Sequence, residues 1–420
     1  MLKARAAVLG VVLTGLALAG CAGRPTGVLA PGGGAAAASG GKVDLLVATT
    51  RSATGATPGE MFTGERARGL AFADIAISIP PEGARQVGEV QWPSQLPANP
   101  ATDFATIRAE RLDGDQALRL FNAKLAASPR RSVLLFVHGY NTRFEEAVYR
   151  FAQIVHDSKA DATPVLFTWP SRGKLLAYDY DRESASYSRD ALEAALQAMA
   201  KHPRVAEINI LAHSMGNWVT LEALRQMAIR DKAIAGKIKN VMLAAPDVDF
   251  DVFRRQIATM GEKRPNFTLF VSQDDAALRI STSIGGGQTR LGMIDPKQEP
   301  YRSDLEKARF NVVDLTEVKS SDRTNHGKFA QAPEVVQAIG QRLAQGQTLS
   351  DGRAGVGEKL GQVAAGAATT VGKAAGLVIS APIAIIDGRT REGLGDQVED
   401  LGGHLGATVR AATGEAAARP

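Results

Sequence analysis

Ser214 lies at the centre of the most chemically informative stretch of this 420-residue chain, Ile208-Asn-Ile-Leu-Ala-His-Ser-Met-Gly-Asn-Trp-Val-Thr220. An apolar, β-branched run leads straight into Ala212-His213-Ser214-Met215-Gly216, and a helical stretch follows. This is the G-x-S-x-G pattern with Ala in the first place. Small residues two before and two after the Ser let a strand and a helix come close together through a strained turn. That turn lifts the Oγ clear of the backbone and aims the helix N-terminus at it. The spacing predicts Ser214 as a nucleophile, with Gly216 and His213 supporting the turn.

A serine hydroxyl attacks poorly at neutral pH unless a base takes its proton. The chain has six His. His156 and His202 fall at or in helical stretches, His404 lies in a biased tail, and His213 adjoins Ser214 with its side chain expected to point elsewhere. His138 follows an apolar run. His326, in the polar loop Ser320-Ser-Asp-Arg-Thr-Asn-His-Gly327, fits a chain order of nucleophile, acid, base. The acid should follow a strand between Ser214 and His326, where it can fix the imidazole tautomer and stabilise its charged form. Asp275 is preferred. Asp247, after Val241–Ala245, and Asp274 remain alternatives, while Asp249 and Asp251 suit the start of the next helix.

Acyl chemistry also needs donors for an oxyanion. The Met215 N–H, just after the nucleophile, is one. The Tyr140 N–H, in the loop His138-Gly139-Tyr140-Asn141, is the expected second, with His138, Gly139 and Asn141 bracing that loop.

These residues must be carried by a frame, and the pattern around them supplies one. Short apolar runs at Val133–Val137, Val165–Thr168, Ile208–Leu211, Val241–Ala245, Thr268–Val271 and Asn311–Asp314 suit strands buried on both faces. Between them lie helical stretches, including one with Phe144, Ala147, Val148, Phe151, Ile154 and Val155 on one face. Ala191–Ala200, Trp218–Ile229 and Pro333–Leu343 behave alike. The alternation predicts an α/β fold, a mostly parallel sheet flanked by helices. Val43 to Asp115, interrupted by five prolines from Pro80 to Pro100, is expected to add antiparallel strands at one edge. Residues 170–190 and 280–305 show no usable period.

Both ends differ from the middle. Lys3, Arg5 and the apolar run Ala6–Ala19 lead to Leu18-Ala19-Gly20-Cys21, which resembles a bacterial lipobox. That resemblance implies cleavage before Cys21, lipidation of this thiol, the only Cys of the chain, and attachment to the cell envelope, with Ala22 resembling the pattern sorted to the periplasmic face of an outer membrane. The expected organisation is a signal peptide over 1–20, a lipidated Cys and flexible Gly/Ala linker over 21–42, a catalytic domain over 43–345, and a Gly/Ala-rich tail over 346–420, weakly ordered or membrane-associated. A single Cys excludes an internal disulfide framework and a Cys-rich zinc site. A net charge of +5 with 5% aromatic residues gives no basis for nucleic-acid binding.

Taken together, Phe136-Val-His-Gly-Tyr-Asn141, Phe167-Thr-Trp-Pro-Ser171, Leu211-Ala-His-Ser-Met-Gly216, Ala245-Pro-Asp247, Val271-Ser-Gln-Asp-Asp-Ala-Ala-Leu278 and His326 resemble the bacterial α/β-hydrolase group DUF900. Val47-Ala-Thr-Thr-Arg51 and Phe62-Thr-Gly-Glu-Arg66 resemble its N-terminal portion. The resemblance covers about residues 43–345 and implies the α/β-hydrolase fold and a serine hydrolase acting on carboxylic esters, without metal or organic cofactor. In similar sequences the motif Ser-x-x-Asp-x-Ala-Leu places the acid on Asp275. His326-Gly327-Lys328-Phe329 departs from the His-Ser-Tyr usual there. The expected substrate is a small or lipid-like ester. The alternative is a catalytically silent envelope scaffold built on the same fold.

Overall fold

In a computed structural model, residues 26–32, 40–55 and 59–345 are described; Cys21 and the tail beyond 345 lie outside them. Nine strands form one sheet in the order β3-β2-β1-β5-β4-β6-β7-β8-β9. β1 (Lys42–Ala53), β2 (Phe62–Ser78) and β3 (Ala105–Leu112) are antiparallel to one another. β4 (Ser132–Val137), β5 (Thr163–Thr168), β6 (Glu207–His213), β7 (Ile238–Ala244), β8 (Asn266–Val271) and β9 (Asn311–Asp314) run parallel, with β5 also parallel to β1. The sheet is the one that the apolar runs predict, antiparallel edge included.

Burial on both faces explains why those runs hardly alternate. In β4, Val133, Leu135 and Val137 pack on one face and Leu134 and Phe136 on the other. The first face is covered by α1 (Gly114–Ala127), α3 (Tyr178–Lys201), α4 (Gly216–Asp231) and α5 (Phe250–Met260). The second is covered by α2 (Phe144–Ser158), the short α8 (Lys328–Gln331) and α9 (Pro333–Gln345). Two further helices are α6 (Ala276–Ile284) and α7 (Tyr301–Lys307), the latter packing Tyr301 on Phe250 of α5. Asp249 caps α5, its Oδ1 accepting from the Asp251 and Val252 N–H groups.

Two differences from the sequence reading have physical causes. First, α3 begins at Tyr178, inside the stretch with no usable period. Its buried positions include Asp181, Ser184, Ala185 and Ser188, so the inward face is polar and leaves no apolar stripe to read. Ser188 Oγ meets Thr50 Oγ1 at 2.8 Å and Asp181 accepts from Ser171 Oγ, which satisfies that face. Second, the expected linker is not free throughout. Val28 and Leu29 are buried, and the Val28 carbonyl accepts from Thr106 Oγ1 at 2.8 Å and Tyr149 OH at 3.0 Å. Two apolar side chains suffice to dock this Gly/Pro-rich segment.

The strand order reverses around β4, which lies between β5 and β6. In an open parallel sheet such a reversal leaves a crevice beyond the carboxyl ends of the strands. The loops after β4, β6, β8 and β9 carry the predicted site residues to that end.

Candidate active site

Ser214 connects β6 to α4 with φ of 53°, a left-handed conformation uncommon for a residue with a Cβ. Its N–H donates to the Ala244 carbonyl of the neighbouring strand at 3.0 Å, and the Asn217 N–H and side chain close the turn on the Ser214 carbonyl. Gly216 permits this geometry. A Cβ there would lie 2.4 Å from the His138 carbonyl oxygen and 2.6 Å from that of Val137, so the first turn of α4 presses on the end of β4. Gly139 approaches as closely from the other side, since a Cβ would meet Ser214 Cβ at 2.7 Å. Met215, directly after Ser214, is the N-cap of α4.

His326 and Asp275 are joined. His326 Nδ1 lies 2.7 Å from Asp275 Oδ2, and the fully buried Asp275 also caps α6 by accepting the Leu278 N–H through Oδ1 at 2.9 Å. Burial disfavours the charged imidazole, but the hydrogen bond and charge of Asp275 outweigh it and raise the His326 pKa above the ordinary 6.5. The His loop is held by Asp322, whose Oδ2 accepts the His326 and Gly327 N–H groups at 2.7 Å each.

The other two candidate acids have other partners. Asp274 accepts from Lys328 Nζ at 2.9 and 3.0 Å and from Asn325 Nδ2 at 2.8 Å. Lys328 is itself buried and also donates to the Leu315 and Thr316 carbonyls. The unusual His326-Gly327-Lys328-Phe329 thereby ties the His loop to the acid loop. Asp247 donates its N–H to the Ser214 carbonyl at 3.2 Å. Its carboxylate takes Ser281 Oγ, Tyr178 OH at 3.0 Å and the Arg290 guanidinium at 3.3 Å. His213 does not point away from the site. Its Nε2 lies 3.1 Å from the His326 carbonyl oxygen, and its ring packs on those of His326 and Phe329. Burial and then the adjacent His326 hold its pKa well below 6.5, so it stays neutral.

The Tyr140 loop is fixed by a residue to which the sequence reading assigned no role, the buried Arg51 of β1. Arg51 donates to the carbonyls of Ser171 at 2.9 Å, Thr142 at 2.8 Å and Thr63 at 3.2 Å, and its Nη2 lies 3.3 Å from His138 Nε2. Burial, with the Arg51 charge second, pushes the His138 pKa down to about 3, so the ring is neutral. His138 Nε2 accepts the Trp169 N–H at 3.1 Å, so Nδ1 carries the proton and donates to the Gly139 carbonyl at 2.8 Å. That carbonyl and the Tyr140 N–H share one planar peptide and point in opposite directions, so holding one orients the other. The sequence signal for Arg51 was its place at the end of the family-like stretch Val47-Ala-Thr-Thr-Arg51, which gave it no role. Among the described residues, no group of three or more His, Cys, Asp or Glu is placed to hold a metal ion.

A mainly parallel sheet, with a strained serine where a central strand meets a helix, defines the α/β-hydrolase class. Residues 114–342, more than half the chain, match the family described as an α/β hydrolase of unknown function, DUF900, and the chain belongs to that family. An uncharacterized protein of Nostoc sp. is 26% identical over 167 residues, which is 33% of this chain; the match spans 44% of that relative's length. Among solved structures, a putative cell surface hydrolase from Lactobacillus plantarum aligns with 52% of this chain and 93% of its own at 11% identity and a TM-score of 0.31. An esterase from Rhizomucor miehei aligns with 73% of this chain and 84% of its own at 13% identity and a TM-score of 0.30.

Proposed function

We propose that this α/β hydrolase is a serine esterase that works through an acyl-enzyme, with Ser214 as nucleophile, His326 as base and acid, and Asp275 orienting His326. The observation that carries the reading is the 2.7 Å contact between Asp275 Oδ2 and His326 Nδ1, which reserves Nε2 as the nitrogen for proton transfer. Ser214 Oγ bonds to the acyl carbon while its proton passes to Nε2. The negative charge on the former carbonyl oxygen is met by the Met215 and Tyr140 N–H groups. Nε2 then protonates the departing alcohol oxygen as the ester C–O bond breaks. Water repeats the sequence in the second half, giving its proton to Nε2 and releasing the acid and free Ser214.

The same proposal places the mature protein on the cell envelope through a lipid on Cys21, as the lipobox-like Leu18-Ala19-Gly20-Cys21 suggests. Fluorophosphonate labelling of the purified protein tests the enzyme. The expected result is labelling in wild type that is lost in Ser214→Ala and His326→Ala. Folded wild type that neither labels nor hydrolyses p-nitrophenyl acetate would leave the scaffold reading in its place.

A further inference from the structure

Eight large apolar side chains are exposed among the described residues, and four of them belong to two segments that meet at one aromatic pair. Leu175 and Leu176 sit in the single 3-10 turn Leu175–Ala177 just before α3, and Ile280 and Ile284 share one face of α6. The pair is Tyr140 of the oxyanion loop and Tyr178 of α3, edge to face with centroids 5.2 Å apart. Tyr140 OH donates to the Leu175 carbonyl, and Tyr178 OH lies 2.9 Å from Ser281 Oγ, next in the chain to Ile280. Tyr178 also donates to Asp247, whose N–H is bonded to the Ser214 carbonyl. The four apolar side chains therefore border the candidate site. Their exposure is held in place: the Ala177 N–H closes the turn on the Lys174 carbonyl at 3.0 Å, while Leu175 stands 74% exposed and Leu176 fully so.

Single apolar residues scattered on a surface are ordinary, but a cluster with a polar margin marks a surface that something covers. Two features select a lipid bilayer. The first is charge. Lys174 precedes Leu175 and Arg279 precedes Ile280; both are exposed, and neither side chain has a hydrogen bond or ion pair among the described residues. Arg172 is paired with Glu65, and Asp179 is the exposed carboxylate of these segments, so the margin is net positive and suits anionic headgroups. The second is the route of the chain. Gly27 packs on Gly59, where a Cβ would lie 2.1 Å from the Gly27 carbonyl oxygen, and Gly64 packs on Arg172, where a Cβ would meet Arg172 Cα at 2.7 Å. Residues 59–64 span at most about 18 Å, as do residues 21–26. A lipid on Cys21 would therefore leave this side of the body within reach of the bilayer.

We infer that Leu175, Leu176, Ile280 and Ile284 enter the surface of an anionic bilayer, with Lys174 and Arg279 at the headgroups, and that the enzyme takes its ester from that layer. Docking needs no catalysis, whereas the source of the ester rests on the esterase reading above. Sedimentation with phosphatidylcholine vesicles, with and without phosphatidylglycerol, is measured for the chain from residue 21 carrying Cys21→Ser, which has no lipid. It should bind the vesicles that contain phosphatidylglycerol. Leu175→Ser/Leu176→Ser/Ile280→Ser/Ile284→Ser should lower that binding by about 10-fold or more, and Lys174→Gln/Arg279→Gln should lower it as well. Leu118→Ser, at another exposed position, on α1, should leave it unchanged. Absence of binding, or equal binding by the four-serine variant, would overturn the inference. So would dimers that the four serines dissolve in a protein that ignores vesicles, which would assign the patch to a second copy of the chain.

A direct probe does not depend on that variant. The added emission of Leu176→Trp should shift to the blue with phosphatidylglycerol vesicles and be quenched by brominated lipid; no change would overturn the inference. Ser214→Ala should bind vesicles as the parent does. Vesicle binding without Ser214-dependent hydrolysis of p-nitrophenyl acetate would overturn only the esterase reading. With p-nitrophenyl palmitate carried in the vesicles, the four serines should lower turnover far more than they lower that of dissolved p-nitrophenyl acetate. Equal losses would overturn the bilayer as the source of the ester.

Discussion

At the scale of single residues, the three candidate acids are chemically alike and are separated by what each touches. Asp275 alone contacts the imidazole, whereas Asp274 is paired with Lys328 and Asp247 with Arg290, Ser281 and Tyr178. Asp275→Asn should therefore lower kcat by roughly 10^3–10^4-fold through loss of the tautomer and of the charge that supports it. Asp274→Asn should cost far less activity and act mainly through stability; equal losses in the two variants would reverse the assignment. The pH profile follows from the same contact. His326 must be neutral to accept the Ser214 proton, and its pKa is raised, so kcat/KM should fall on the acid side from a point above pH 6.5. In Asp275→Asn the effect of burial is opposed only by the charges of Asp247 and Asp322, and the residual acid limb should move to lower pH. Arg51→Met would take a donor from the buried Ser171 carbonyl and the part-buried carbonyls of Thr63 and Thr142. A loss of about 3–5 kcal/mol in folding stability, read by denaturant unfolding, is expected.

At the scale of elements, the serine turn depends on how closely two loops can approach. Gly216 lies against the end of β4, and Gly139 lies against Ser214 itself. Gly216→Ala should destabilise the whole domain, because the obstructing atoms are backbone carbonyls that cannot rotate away. Gly139→Ala should instead suppress fluorophosphonate labelling with a smaller change in Tm, because the obstruction is at the nucleophile. Similar Tm losses with labelling intact in both would refute this picture. Most elements were legible in the sequence because apolar runs and helical stripes reflect burial on the two faces of the sheet. The start of α3 was not, because Asp181, Ser184 and Ser188 bury a polar face whose partners, Ser171, Arg66 and Thr50, come from distant strands and loops.

At the scale of the whole molecule, the segment 26–32 belongs to the folded body, with Val28 and Leu29 inserted beside β3 and α2. A protein beginning at residue 40 should be less stable than one beginning at residue 25 by about 3 kcal/mol or more, given two buried aliphatic side chains. Thermal unfolding checks this, and equal Tm values would restore the picture of a free linker. If Cys21 carries the proposed lipid, few residues separate it from this docked segment, so the body would be held close to the membrane. Cys21→Ser should then move the protein from the membrane fraction to the soluble one.

Chain order and local pattern were enough to select Ser214, His326 and a short choice of acids, because a strand–serine–helix turn needs small residues at fixed offsets and a triad needs its members in order. Family likeness pointed the choice at Asp275. Only the tertiary structure decided what each carboxylate touches, turned His213 toward the His326 loop, and brought Arg51 from the antiparallel edge to the His138 ring and the Thr142 and Ser171 carbonyls. Those contacts join residues 50 to more than 100 positions apart in the chain. Pairing at that range depends on how the loops pack over the sheet's end, which local periodicity does not encode.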